Sequence, residues 1–418
     1  MNPAEIWALL VAFAITMYAV LDGFDLGVGM LLLVHRENEE RSEMLNTIYP
    51  TWDGNETWIV LAGVGLFGGF PEAYATLLPA LYVPFIVMLL SLIFRGVSLE
   101  FRFNAKGRTQ AVWDTFFGVA SVLIVLSQGL IVGSLIHGLL HPGFFVADNF
   151  TPWGFVNASG LLTAAVFVVV MLLHGSNWLT LKANDALRHH MGVRARWLLV
   201  ALLGLLAFAV YAHLRLPAFA GPSGPFALGA VMDVPTWIAL GVAVAAAVGS
   251  FLTHQASRPA PAFRFGMVTI AALAAGVVAQ LWPDIIPPGT SIYAATAKGQ
   301  TDTILMVAAL IIVPIILTYT AYGYYVFRGP VKKGGYGFKR TEKETARLKQ
   351  AHEEEQTANA SAAPAPKHVP GYLKWLIGIG FVLLFLMMNG PLGEGYVLVS
   401  MPVAMGLLMV VLYKAEPG

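Results

Sequence analysis

Eleven stretches of this chain each offer roughly 20 apolar residues in succession, the length of helix needed to cross a hydrocarbon layer about 30 Å thick. That layer holds no water to satisfy a free N–H, so such segments must bond internally as helices or close into a barrel. Barrel strands alternate in polarity and these stretches do not, which leaves an all-α, polytopic transmembrane protein. The stretches run over about 5–34, 54–70, 75–97, 112–136, 154–178, 197–216, 236–254, 263–282, 303–327, 372–389 and 396–413. Composition agrees, because 57% of the 418 residues are hydrophobic and 12% are charged, which excludes an ordinary soluble domain. With 25 basic against 24 acidic residues, no basic excess points to nucleic acid. The lack of cysteine excludes disulfides, thiolate zinc sites and cysteine-held iron–sulfur clusters. The first stretch has no basic leader segment or small-residue cleavage site and contains Asp22 and Asp25, so it reads as a retained span, not a signal peptide.

Lys and Arg gather in alternate connections, and basic loops stay cytoplasmic. Arg36 and Arg41 follow the first span; Arg102, Lys106 and Arg108 follow the third, with Arg95 at its helix end. Lys182, Arg188, Arg194 and Arg196 follow the fifth, and Arg258 and Arg264 follow the seventh. The intervening connections carry only Arg215 and Lys298. This pattern predicts that the N-terminus faces outward and the C-terminus faces the cytoplasm. Residues 330–370 are charged and then rich in Ala and Pro, as expected of a cytoplasmic linker between a nine-helix body, 1–329, and a two-helix membrane extension, 371–418.

Ionisable groups inside apolar helices carry the functional information, since each costs roughly 2.5–3.5 kcal/mol to insert unless paired or hydrated. Asp22 and Asp25, in LDGFDLGVG, are three residues apart and share a helix face, with Gly23, Gly27 and Gly29 allowing a close neighbour. Asp53 and Glu56, in PTWDGNETW, repeat that spacing at the start of the second span, and Asp114 begins the fourth. By the predicted orientation all lie toward the cytoplasmic half, where carboxyl groups could pass protons inward. Simpler readings stand beside this one: Asp22 and Asp25 as ties to a neighbouring helix, Asp53 as a helix cap, and Trp52 and Trp58 as interfacial anchors.

Other motifs speak less clearly. GVGLFG at 63–68 matches the dinucleotide pattern but sits in an apolar helix with no strand before it, and reads as helix packing. His137 and His141 straddle a helix end without acidic partners and read as loop residues, not metal ligands. His174 is an intramembrane imidazole, either a proton relay or a satisfied core group. Methionines at 387, 388, 401, 405 and 409 read as pliable packing.

In this order and spacing, LDGFDLGVGM, TWDGNETW, LIFRGVSLEFR, VWDTFFG and VPIILTYTAYGYYVFRG resemble subunit II of cytochrome bd-type quinol oxidases, including the cyanide-insensitive branch. The likeness covers about residues 1–329 and extends to HGSNWLTLK and PDIIPPGTSIYAA. It implies a body of two four-helix bundles plus one helix, paired with a homologous subunit I that holds haem b, haem d and the quinol-oxidising loop. It further implies that the complex oxidises quinol, reduces dioxygen to water with cytoplasmic protons, and builds membrane potential without pumping. Subunit II in that family supports assembly, a proton route and sometimes a structural quinone; no haem or metal ligand is expected in this chain. Carried onto this sequence, the resemblance implies a proton-route and interface motif at Trp52 and Asp53, an acid at Asp25, and supporting polar groups at Arg95 and Asp114. Asp53 is the leading candidate, with Asp22, Asp25, Glu56 and Asp114 beside it and Trp52, Asn55, Arg95 and His174 in support. Arg95 reads alternatively as a side chain snorkelling to headgroups. Members usually end near Gly329, so the extension is a departure, in a place suited to that of a small single-helix subunit. The competing class is a proton-coupled permease, but its matching pair of broken helices in inverted halves is not found; a purely structural assembly subunit is the third.

Overall fold

The computed structural model describes residues 2–105, 107–138, 153–219, 232–297 and 300–329. His141, the linker and the two spans expected within 371–418 lie outside the described residues. The helices are α1 (Pro3–Leu32), α2 (Asn38–Ile48), α3 (Trp52–Gly69), α4 (Pro71–Ala80), α5 (Tyr82–Asn104), α6 (Arg108–His137), α7 (Ala158–Lys182), α8 (Asp185–Arg215), α9 (Val234–Gln255), α10 (Pro259–Leu281), α11 (Ile292–Ala295) and α12 (Gln300–Val326). Among the described residues, eight helices are long and apolar enough to cross a membrane: α1, α5 to α10, and α12.

The expected second span corresponds to α3, which is not one of the eight because Asp53, Asn55 and Glu56 make its first turns polar. The third span, expected over 75–97, is two helices broken at Leu81. Pro79 and Pro84 flank the break, and each lacks the N–H that a continuous helix would use there. The sixth span, expected to start near 197, begins twelve residues earlier, at Asp185. Nothing breaks the helix in that polar stretch, and Leu187, Met191, Ala195, Leu199, Leu202 and Leu206 form one buried stripe at helical spacing. A two-stranded ribbon, β1 (Asp284–Ile286) with β2 (Thr290–Ser291), adds a small non-helical element. Gly289 supplies its turn at φ +103°, and its N–H donates to Asp284 Oδ2 at 2.7 Å.

α1 is the axis of the bundle, packed by α3, α6, α7 and α10. Every residue from Val20 to Leu32 is buried, so the helix has no lipid-facing stripe over that length. Hydrophobicity does not drive helices together within lipid, and close backbone contact takes its place. Such a contact occurs where α1 crosses α7. A Cβ on Gly27 would overlap the carbonyl oxygen of Met171, and one on Gly175 would come within 2.6 Å of the Val28 nitrogen. At the C-terminal end of α7, Lys182 Nζ donates to the carbonyls of Phe327 (2.7 Å) and Gly329 (2.9 Å), just past α12. α12 leans on α3 and exposes Ile304, Ile311, Ile315, Tyr319 and Tyr322.

Candidate functional site

Asp22 and Asp25 of α1 point into a cluster closed by α3, α5, α6 and α12. Asp22 and Asp25 lie one helical turn apart on α1, and both are fully buried. Arg95 comes from α5 and is also fully buried. Its Nη1 donates to Asp22 Oδ2 at 3.0 Å and its Nη2 to Asp22 Oδ1 at 2.6 Å, a bidentate pairing that a planar guanidinium makes and a lysine cannot. The same guanidinium turns its Nε to Glu56 Oε1 at 3.0 Å, and its Nη2 also bonds that oxygen. Arg95 is therefore locked inside the bundle, not snorkelling to headgroups. Tyr18, one turn before Asp22, faces that carboxylate, and Gln128 Nε2 of α6 donates to the Tyr18 hydroxyl at 2.9 Å.

Asp25 has a different environment. Asn55 Nδ2 donates to its Oδ2 at 2.7 Å, and the Tyr324 hydroxyl of α12 donates to Asn55 Oδ1 at 2.9 Å. Asp25 Oδ1 is buried with no hydrogen-bond partner among the described residues. Neighbouring residues Asn55 and Glu56 of α3 thus divide the work, the amide serving α1 and the carboxylate serving α5. One guanidinium thus answers two carboxylates, Asp22 and Glu56, while the neutral Asn55 amide meets Asp25.

Asp53 stands at the open end of this arrangement. It lies in the first turn of α3, exposed, and one turn from Glu56. It is not the helix cap, a position held by Thr51 without a side-chain bond. Trp52 beside it packs toward Gly96 of α5. Asp114 belongs to a second ionic group: Arg102 Nε donates to its Oδ1 at 2.8 Å, Arg41 Nη1 approaches its Oδ2 at 3.5 Å, and Arg102 Nη2 reaches Ser42 Oγ at 2.8 Å. His174 is apart from both. Its Nε2 bonds the Val20 carbonyl at 2.8 Å, its ring stacks on Phe263 with centroids 5.0 Å apart, and its neighbour Asn177 bonds His254 at 2.7 Å. The glycine run at 63–68 lies inside α3, where Gly65 and Gly68 meet Val11 and Leu305.

The sequence and the fold of this chain are matched by known proteins. Residues 3–327 fit the family described as cytochrome bd terminal oxidase subunit II. This chain belongs to that family. It is 30% identical over 365 residues to the cytochrome bd-I ubiquinol oxidase subunit 2 of Escherichia coli K12, covering 78% of this chain and 95% of that protein. A Bacillus subtilis relative, cytochrome bd ubiquinol oxidase subunit 2, is 30% identical over 340 residues, with the same two coverages of 78% and 95%. The fold matches a chain of the bd oxidase from Geobacillus thermodenitrificans with TM-score 0.58 at 17% identity, over 78% of this chain and 99% of that one.

For a subunit II, the sequence singled out most members of the cluster but missed Tyr18, Gln128 and Tyr324. Tyr18 stands four residues before Asp22 and so shares its face, a signal that spacing carries. Tyr324 lies within the Val313–Gly329 segment quoted for the resemblance, but one tyrosine among several there gives no sign of which points inward. Among the described residues, no group of three His, Asp or Glu side chains is placed to hold a metal ion.

Proposed function

We propose that this chain is the haem-free subunit II of an inner-membrane quinol:dioxygen oxidoreductase, in which it supports assembly and carries cytoplasmic protons toward oxygen reduction. Haem b and haem d, in a partner subunit I, supply the electron transfer and the oxygen chemistry. Each dioxygen reduced to water consumes as many protons as electrons, so a route for protons through protein is a chemical requirement. The carboxyl ladder of this chain supports that reading. Asp53 is exposed, Glu56 one turn above it is partly buried, and Asp22 and Asp25 are fully buried.

Protons enter at Asp53, pass to Glu56, and reach the buried pair, where Arg95 holds Asp22 and Glu56 in place and Asp25 Oδ1 is open to receive one. The exposed Asp53 and Trp52 face the partner subunit or the cytoplasm, with the N-terminus periplasmic as the basic loops predict. Lipid and a structural quinone are further occupants of the complex in this proposal, and residues 371–418 stand in for a separate small single-helix subunit.

The test is Asp53→Asn in the purified complex, measured as quinol-dependent oxygen uptake and as haem absorbance. Uptake per haem is expected to fall about 100-fold or more, as for loss of a proton-transferring group, with haem content nearly unchanged. A parallel fall of uptake and haem content would make Asp53 structural.

A further inference from the structure

The C-terminal helix of the body contributes one side chain to the acidic cluster. Tyr324 donates to Asn55 Oδ1 at 2.9 Å, and Asn55 Nδ2 donates to Asp25 Oδ2 at 2.7 Å. Asn55 is 1% exposed and Asp25 is fully buried, so bulk water does not compete for either. The three groups therefore form a directed chain. The tyrosine O–H occupies the oxygen end of the amide, which turns the NH₂ end to Asp25; a carboxylate only accepts, so this orientation fits it and the reverse does not. The amide in turn occupies Oδ2 and leaves Oδ1, which has no partner among the described residues, as the oxygen free to exchange.

We propose that Tyr324 is a positioning residue for Asp25: by holding the Asn55 amide in one orientation it reserves Oδ2 for the amide and directs the exchanging proton to Oδ1. This rests on the reading of Asp25 as a proton carrier. In each cycle an O–H bond forms at Asp25 Oδ1 and the same bond later breaks; Tyr324 keeps its own proton and no electron moves through it. Without the hydroxyl, the amide oxygen loses its donor and the amide is free to turn its oxygen toward the carboxyl. An Asp25 O–H then bonds to that oxygen, and the proton is held back.

The experiment uses the assembled oxidase complex carrying Tyr324→Phe, with Asp25→Asn as reference. The Asp25 carboxyl band in infrared difference spectra is the one that Asp25→Asn abolishes. Tyr324→Phe is expected to shift that band, to lower oxygen uptake per complex about three- to tenfold, and to raise the solvent deuterium isotope effect as proton transfer becomes limiting. All three are read per mole of assembled complex, so a lower yield does not mask them. If Asp25→Asn impairs uptake while Tyr324→Phe leaves band and isotope effect unchanged, the positioning role is overturned. If Asp25→Asn turns over like the parent, the carrier reading itself falls.

Discussion

Arg95 carries the charge balance of the acidic cluster, and its removal is the harshest single change available there. Arg95→Leu would leave the partly buried Glu56 and the fully buried Asp22 without their cation, and the broken Asp22 pair alone costs about 3–5 kcal/mol. The expected outcome is little or no assembled complex, measured as haem absorbance in membranes. Arg95→Lys keeps the charge but cannot bond Asp22 twice and Glu56 as well, so an intermediate yield is expected. Asp114 tests the opposite case. Its partners are Arg102 and Arg41, with Ser42 on the far side of Arg102, and among the described residues no hydrogen bond or ion pair joins it to Asp25. Asp114→Asn is therefore expected to lower thermal stability of the complex while uptake per haem stays within about twofold, since the change weakens two charge pairs without emptying the site. A large fall in uptake per haem would place Asp114 on the proton route instead.

The α1–α7 crossing rests on direct backbone contact. Gly27 and Gly175 stand where two backbones touch, and no rotamer adjustment makes room for a Cβ against a carbonyl oxygen. Gly27→Val is expected to abolish the complex, whereas Gly63→Val, at a position with open space beside it, should be tolerated; immunoblots of membranes separate the two. The sequence already displayed the glycines of LDGFDLGVG as a packing face, because small residues beside acids in an apolar run have few other uses. It also displayed the membrane helices themselves, since apolar length is a local property. What it hid depended on partners distant in sequence. The break at Leu81 needed the two prolines to be weighed against an apolar run, and the early start of α8 was masked by polar residues on its outer face. Asp53 and Asp114 looked alike as acids near helix starts, yet one is exposed and the other is tied to two arginines, a difference set by tertiary neighbours alone.

For the whole chain, the family match ends at residue 327 and the sequence continues to 418. Truncation after Gly329 is expected to lower the amount of complex, if residues 371–418 stand in for a separate small subunit; unchanged yield and oxygen uptake would remove that idea. The truncation spares the Lys182 bonds to Phe327 and Gly329, so the body keeps its last anchor. Arg95 and Arg102 are seven residues apart on α5, about two turns and roughly 10 Å along its axis. One tooth of this key fits the lock made by α1 and α3, the other the lock made by α2 and α6. Adding a single alanine between them would swing one tooth about 100° away from the other, so that no rotation of the rod could seat both. Such an insertion should do more harm than replacing either arginine, which makes register, ahead of charge, the quantity that α5 transmits from one ionic group to the other.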